Sequence, residues 1–307
     1  GNYLADYHSK RVLIVDCDPQ CNATQLIMGS DFASDLYWDN SSTNYSEITT
    51  ISDILQPIED GDSNIMEAIV PIDKSTNRFN VDLIPGHPTF SIIEDRLGSA
   101  WHELKGGDLG GIRKTNWNTS LVAQLQDRYD LIGCQYFIIP MGTDIFSILG
   151  VRNISAWLSS WMEIYTNSLE LTENRTPGRL AQYKIAAEPA ISKGYLGYTS
   201  QQYITKSKEG VRRPTKAFEE IINMIPEEIA NSLQLFMPTY LDSDSLKIGD
   251  VKHLYSLIPL AQSVSSPILK LKSSDGLVGT QFKQQSEYEE IISAITSNIL
   301  TNLNLAE

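Results

Sequence analysis

The segment Val12 to Asp16, VLIVD, with the CDPQCNAT that comes after it, constrains the architecture of this chain more than any other stretch. An apolar run ends in one acid, Asp16. A second acid, Asp18, comes two residues later, and Pro19 stops the run. A short apolar run bounded by a turn signal reads as a parallel strand buried on both faces. Such a strand delivers its last carboxylates to the carboxyl edge of an α/β sheet, where sheets of this class bind ligands. Carboxylates placed there serve a cation, a phosphate-bound metal or a water molecule. The competing reading is a surface turn with two solvated acids.

The chain has 307 residues, 41% of them hydrophobic, which is ample for one large core or two small ones. Its net charge of −14 makes the surface as a whole repel phosphate backbones. A local basic patch is still allowed, and the most basic stretch is Lys206 to Lys216. It holds Lys206, Lys208, Arg212, Arg213 and Lys216. A solvated loop leading into a helix is the first reading of it, and a DNA or partner contact the second. Cys17, Cys21 and Cys134 are too few for a disulfide framework. Cys17 and Cys21 form a C-x3-C pair, but no second Cys/His pair completes a zinc site, so both read as small packing residues. No signal peptide is visible, and no apolar stretch reaches the ~18 residues of a membrane span. A cytoplasmic setting is expected.

Along the chain, residues 1–9 read as the end of a helix and Ala23–Met28 as another. Asp31–Thr50 reads as a polar loop. Ser52 is expected to cap a short helix that stops before Pro57. Val81–Ile84 reads as a strand ending in a Pro-Gly turn. Amphipathic helices are expected over Ser91–Leu104 and from Asn118 onward, the second running into a strand. Tyr136–Pro140 and Gly194–Tyr203 read as strands, and Leu254–Ile258 as the last one. Phe146–Leu169 is a long helix on which Trp157 and Trp161, four residues apart, read as core residues rather than a partner-binding face. Gln285–Leu303 closes the chain as an amphipathic helix. His87 and His102 stand alone and read as structural. Strands alternating with helices predict an α/β fold with a mostly parallel, doubly wound sheet flanked by helices in three layers. "RYDLI" and "YFIIP" read as two strands with only Gly133 to Gln135 between Ile132 and Tyr136, whereas a parallel crossover takes about a dozen residues. The spacing predicts either one irregular strand or residues missing at the Ile132–Gly133 junction, and the second is expected.

VLIVDCDPQCNAT resembles the switch region of ParA/MinD-type ATPases, V-L-h-I-D-x-D-P-Q-G-N-A-T with h apolar. Only Cys21 departs, where the family has glycine. "VDLIPGHP", "YFIIPMGTDIFSILGVRNI" and "LYSLIPLAQSVSSPI" resemble later strand-to-loop segments of the same family, so the likeness spans most of residues 1–300. It implies a P-loop NTPase-like fold in a single domain over 1–307, with elaborations over 157–193 and 204–250. Two family motifs are not in the sequence. The phosphate-cradling lysine loop would lie roughly ten residues before Gly1. The strand-end D-x-P-P or D-x-G-P that senses the γ-phosphate would fall at Ile132–Gly133. The resemblance implies that the native protein has both.

The function implied by the resemblance is an ATP-operated dimerisation switch used in partition, positioning or regulation. In that reading Asp18 positions the attacking water. Asp16 sits near the Mg²⁺ shell, Asn22 touches the water or the partner subunit, and Pro259 lies near the base; Gln201, following a strand, is expected to approach the base by its position alone. ATP and Mg²⁺ are the implied cofactors. A homodimer, a partner protein that stimulates hydrolysis and nonspecific DNA are the implied partners. Three rivals stay open. One is a nucleotide-binding regulatory module without hydrolysis. Another is a receiver-like phospho-acceptor with Asp16 and Asp18 on Mg²⁺. The last is a small-molecule synthetase or reductase on the same fold.

Overall fold

The computed structural model describes residues 1–38, 48–130, 136–142, 144–203, 205–208, 211–214, 216–254 and 256–305. The Ile132–Gly133 junction and Cys134 lie outside the described residues. The first part of the chain forms α1 (Asn2–Tyr7), β1 (Leu13–Val15), α2 (Asn22–Met28), α3 (Ser30–Tyr37), α4 (Ile51–Glu59) and β2 (Asp82–Ile84). Next come α5 (Phe90–Lys105), α6 (Leu109–Thr115), α7 (Trp117–Leu125), β3 (Phe137–Met141), α8 (Ile145–Arg175) and α9 (Arg179–Gln182). The last part forms β4 (Tyr195–Tyr203), β5 (Thr205–Lys208), β6 (Val211–Pro214), α10 (Lys216–Leu233), β7 (Lys247–Lys252), α11 (Leu257–Ser263) and α12 (Gln281–Asn302). The architecture is α/β, as the alternation predicts, with parallel strands in two sheets flanked by helices.

The chain divides into two compact units. The first comprises Gly1–Ile132, Tyr165–Ala186 and Leu257–Gly279, and the second Gly133–Ile164, Ala187–Ser256 and Thr280–Glu307. In the first, β1 and β2 pair in parallel, Leu13 opposite Asp82 and Val15 opposite Ile84. Successive side chains of a strand point to opposite faces, and both faces here are covered. Leu13 and Ile84 pack with α4, α5 and α7 through Ile54, Leu55, Ile93 and Leu121. Val12 and Leu83 pack with α2 and α3 through Ile27, Phe32 and Leu36. In the second unit β3, β4 and β7 form a parallel sheet in the order β3-β4-β7. Ile139, Met141 and Tyr198 pack there against Ile148, Val151 and Leu158 of α8 and Ile225 and Ile229 of α10.

Several local expectations are corrected. The start of the expected polar loop is α3, held by Phe32, Ala33 and Leu36; residues 39–47 lie outside the described residues. The cap of α4 is Thr50, not Ser52: Thr50 accepts from the Asp53 N–H, and Asp53 returns a bond to the Thr50 N–H. That reciprocal pair satisfies two donors at the helix start. The helix also runs through Pro57 to Glu59, because Ile58 is buried beside Ile54 and Leu55. Leu254–Ile258 is not a strand. The last parallel strand is β7, and Leu257 begins α11, where Pro259 stands in the first turn that tolerates proline. Within the basic stretch the described residues are not loop: β5 and β6 pair antiparallel, with Lys206 opposite Arg213 and Ser207 opposite Arg212, and Lys216 begins α10. Trp157 and Trp161 are not core residues: they are 59% and 48% exposed. No helix among the described residues is long and apolar enough to cross a membrane.

Candidate functional site

Backbone pairing brings the ends of β1 and β2 to one edge. The Asp16 N–H donates to the Ile84 carbonyl at 3.1 Å, so the turn Asp16–Cys21 and the turn Pro85–His87 leave the sheet side by side. Asp16 is 4% exposed. Its Oδ2 accepts from the Thr24 N–H at 2.8 Å and from Thr24 Oγ1 at 2.7 Å. Thr24 Oγ1 in turn accepts from the Gly86 N–H at 2.9 Å. One buried carboxylate thus ties the end of β1, the first turn of α2 and the turn after β2 into one polar chain. Charge-assisted bonds of this kind are about twice as strong as neutral ones.

Asp18 lies on the solvent side of that brace. Its Oδ1 accepts from the Gln20 N–H at 2.9 Å, and Asn22 Nδ2 approaches its Oδ2 at 3.4 Å and Gln20 Oε1 at 3.2 Å. The turn closes through the Cys21 N–H on the Asp18 carbonyl at 2.8 Å. Cys21 takes the left-handed conformation, φ 54°, that a glycine would take freely. Its side chain is buried, and burial pushes its thiol pKa up.

Residues from outside the motif complete the surroundings. A Cβ on Gly86 would stand 3.0 Å from the Asp16 carbonyl oxygen and 3.1 Å from Cys21 Sγ, so the two turns approach more closely than a side chain there fits without a shift of a few tenths of an ångström. The Tyr37 hydroxyl is enclosed beside Cys21 and Thr24, and burial pushes its pKa well up. His87 stands edge-on to the Tyr37 ring at 5.5 Å, with Nδ1 2.7 Å from Thr89 Oγ1; burial lowers its pKa. Gly86, His87 and Tyr37 were not singled out from the sequence as neighbours of the acids. The Pro-Gly turn ending the second strand is the one signal that could have placed Gly86 there. From Asn22 an open groove of about 650 Å³ runs along α2 past Gln25 and Leu26 to Asp31, with Gln262 and Ser265 as its far wall.

The sequence-predicted site residues therefore fall into separate places. Asp16, Asp18 and Asn22 come together at the edge of the first sheet. Pro259 lies within α11 of the first unit and Gln201 in β4 of the second, where its Nε2 stands 3.3 Å from Thr199 Oγ1. Lys206, Lys208, Arg212 and Arg213 belong to the β5–β6 hairpin. Among the described residues no group of three or more His, Cys, Asp or Glu side chains converges on one metal position.

No protein-family model matches the chain. A ParA family protein from Chlamydia trachomatis serovar D is 24% identical over 233 residues, which is 64% of this chain and 79% of that protein. The crystal structure of a protein from Corynebacterium diphtheriae matches with a TM-score of 0.67 at 28% identity, over 86% of this chain and 90% of that one. This distant likeness supports a ParA-like relation.

Proposed function

We propose that this chain is the body of an ATP-hydrolysing dimerisation switch of the ParA/MinD kind. The observation that carries the reading is the Asp16–Thr24–Gly86 brace, which fixes the turn bearing Asp18 at the carboxyl edge of a parallel sheet. Preorganised groups act in catalysis because they need not reorient as charge develops. Asp18 keeps a carboxylate oxygen toward solvent, held by one strong bond from the Gln20 N–H, and this suits it to orient a water molecule. Asn22, the first residue of α2, holds the second oxygen loosely and can exchange Asp18 for a substrate or partner group.

The donor set fits Mg²⁺, a hard cation that keeps several of its waters. Asp16 Oδ2 already accepts two bonds, whereas Oδ1 accepts only the Asp18 N–H at 3.3 Å, so Oδ1 is the oxygen that would face the Mg²⁺ shell, directly or through a water. When bound, Mg²⁺ supplies charge neutralisation on the phosphates. Gln201 and Pro259 are the proposed base-side residues. The proposed partners are a second copy in the ATP state, an activating protein, and DNA through Lys206, Lys208, Arg212 and Arg213.

The test uses the full-length protein and its Asp18→Ala variant. Binding of ATP is expected in both, with turnover falling by about 10²-fold or more in the variant, as for loss of a group that handles the attacking water. Equal turnover in the two would overturn the role of Asp18. Binding without turnover in the parent would leave a regulatory nucleotide-binding module.

A further inference from the structure

The exposed tryptophan pair of α8 belongs to a longer stripe. At about 3.6 residues per turn, Phe146, Leu149, Gly150, Asn153, Trp157, Ser160 and Trp161 fall on one face of the helix. Phe146 is 77% exposed and Leu149 44%, and the two indoles stack with centroids 6.4 Å apart. None of the seven residues carries a charge, in a chain whose net charge is −14. Arg152 projects off the stripe, and its guanidinium makes two 2.7 Å bonds to the Glu228 carboxylate. Exposed apolar patches of a few hundred Å² mark interaction sites on soluble proteins.

The order of residues names the occupant. Phe146 stands seven residues before Asn153, and Trp161 seven after Ile154. Gly150 stands three before Asn153, and Trp157 three after Ile154. Two copies of the helix laid antiparallel about a two-fold axis at Asn153–Ile154 therefore set Phe146 of each against Trp161 of the other. They also set Gly150 against Trp157. A side chain added at Gly150 would meet nothing within 4 Å, so the helix surface there is open to a large ring from the second copy. Large faces small and aromatic faces aromatic, which is the self-complementarity an isologous interface requires. Asn153 meets its own copy near the axis, where an amide pair fixes register as a core asparagine does in a coiled coil.

We propose that this face of α8 pairs with the same face of a second copy, antiparallel and without nucleotide. Aromatic side chains carry about 150–250 Å² each, so the three here leave roughly 350 Å² exposed per copy. Two copies together bring about 700 Å² of aromatic surface to the contact, with Leu149 at its edge, which is below the usual size of a stable interface and in the range of transient ones. A contact of that size makes the pairing weak and reversible.

Sedimentation equilibrium of the chain in nucleotide-free buffer tests this apart from any ATP-driven assembly. Concentration-dependent dimers are expected. Asn153→Asp sets two like charges at the axis and Gly150→Trp puts a large ring where Trp157 of the second copy must lie, and each is expected to raise the dissociation constant about tenfold or more. Leu235→Ala, at an exposed position outside α8, is expected to leave it unchanged. In Asn153→Cys, mild oxidation is expected to trap a covalent dimer that the parent chain does not give. A monomer at all concentrations, or Asn153→Asp and Gly150→Trp that dimerise like the parent, would overturn the proposal.

Discussion

Gly86 shows how much of the site depends on a residue that does no chemistry. Its missing side chain lets the turn after β2 close on the carbonyl of Asp16 and the sulfur of Cys21. Gly86→Ala forces these turns apart by a few tenths of an ångström and stretches the N–H bond to Thr24 Oγ1. Overpacking in a filled interior costs about 1–3 kcal/mol, and that loss is expected in urea unfolding. Thr24→Val, which removes the hydroxyl joining Asp16 to Gly86 but keeps the volume, is expected to cost about 1–3 kcal/mol by leaving the Gly86 N–H without its acceptor. The two share a bond, so the double variant is expected to lose less than the sum. If the losses add in full, the three residues do not act as one brace. Asp16, Asp18 and Asn22 were legible in the sequence because a single local run and turn place them. Gly86, His87 and Tyr37 were not, because the pairing of β1 with β2 and the packing of α3 bring them in from distant segments. Cys21 holds its turn in a left-handed conformation, which costs about 1–2 kcal/mol for a residue with a Cβ.

At the scale of elements, strong patterns read correctly and weak ones did not. The strands β1, β2 and β3 announce themselves as apolar runs. β7 does not, because Gly249 and Asp250 are poor strand formers, and its place is set by pairing with β4. The apolar Leu254–Ile258 drew the strand reading instead. In α4 the proline suggested a stop, but burial of Ile58 outweighs the missing hydrogen bond. Between elements, the segment before β2 is tied to the one after α11 by Arg78. Its guanidinium donates to both Asp275 oxygens at 3.0 and 2.8 Å and to the Lys270 carbonyl at 2.8 Å. The Arg78 bonds, with the Lys272 N–H, hold the Asp275 carboxyl down to about 2 from its ordinary 3.8. A lowered carboxyl pKa stabilises the fold above the unfolded value and loses that contribution as pH falls through the folded one. The melting temperature of the parent chain is therefore expected to exceed that of Arg78→Met by a constant margin above about pH 4, and the part of the margin owed to ionised Asp275 to close toward about pH 2. A margin that does not change across that window would show that the ion pair carries none of the pH dependence.

The whole molecule is where sequence reasoning reached least far. The alternation of strands and helices gives the α/β class, but nothing local shows that the first unit recruits Tyr165–Ala186 and Leu257–Gly279 across long stretches of chain. Contacts such as Arg113 over the Tyr183 ring, 4.5 Å to its centroid, are invisible until the chain is folded. Net charge, by contrast, is fully legible and acts on the molecule as a unit. At −14, two copies repel each other, while the β5–β6 hairpin concentrates positive charge on one ribbon. Added salt screens both effects, and the Debye length falls from about 30 Å at 0.01 M to about 10 Å at 0.1 M. Pairing through the uncharged face of α8 is therefore expected to tighten as salt rises, because only the long-range repulsion is weakened. Binding of duplex DNA through the hairpin is expected to weaken, with a slope in log salt of about −0.9 for each phosphate contact. Replacing both Lys206 and Arg213 by Gln, opposite each other in the register, is expected to reduce that slope by about two and to leave self-association unchanged. Sedimentation and DNA-binding isotherms over one salt series separate the two surfaces. If both associations weaken with salt, and both respond to the hairpin substitutions, self-association runs through charges rather than through the stripe on α8.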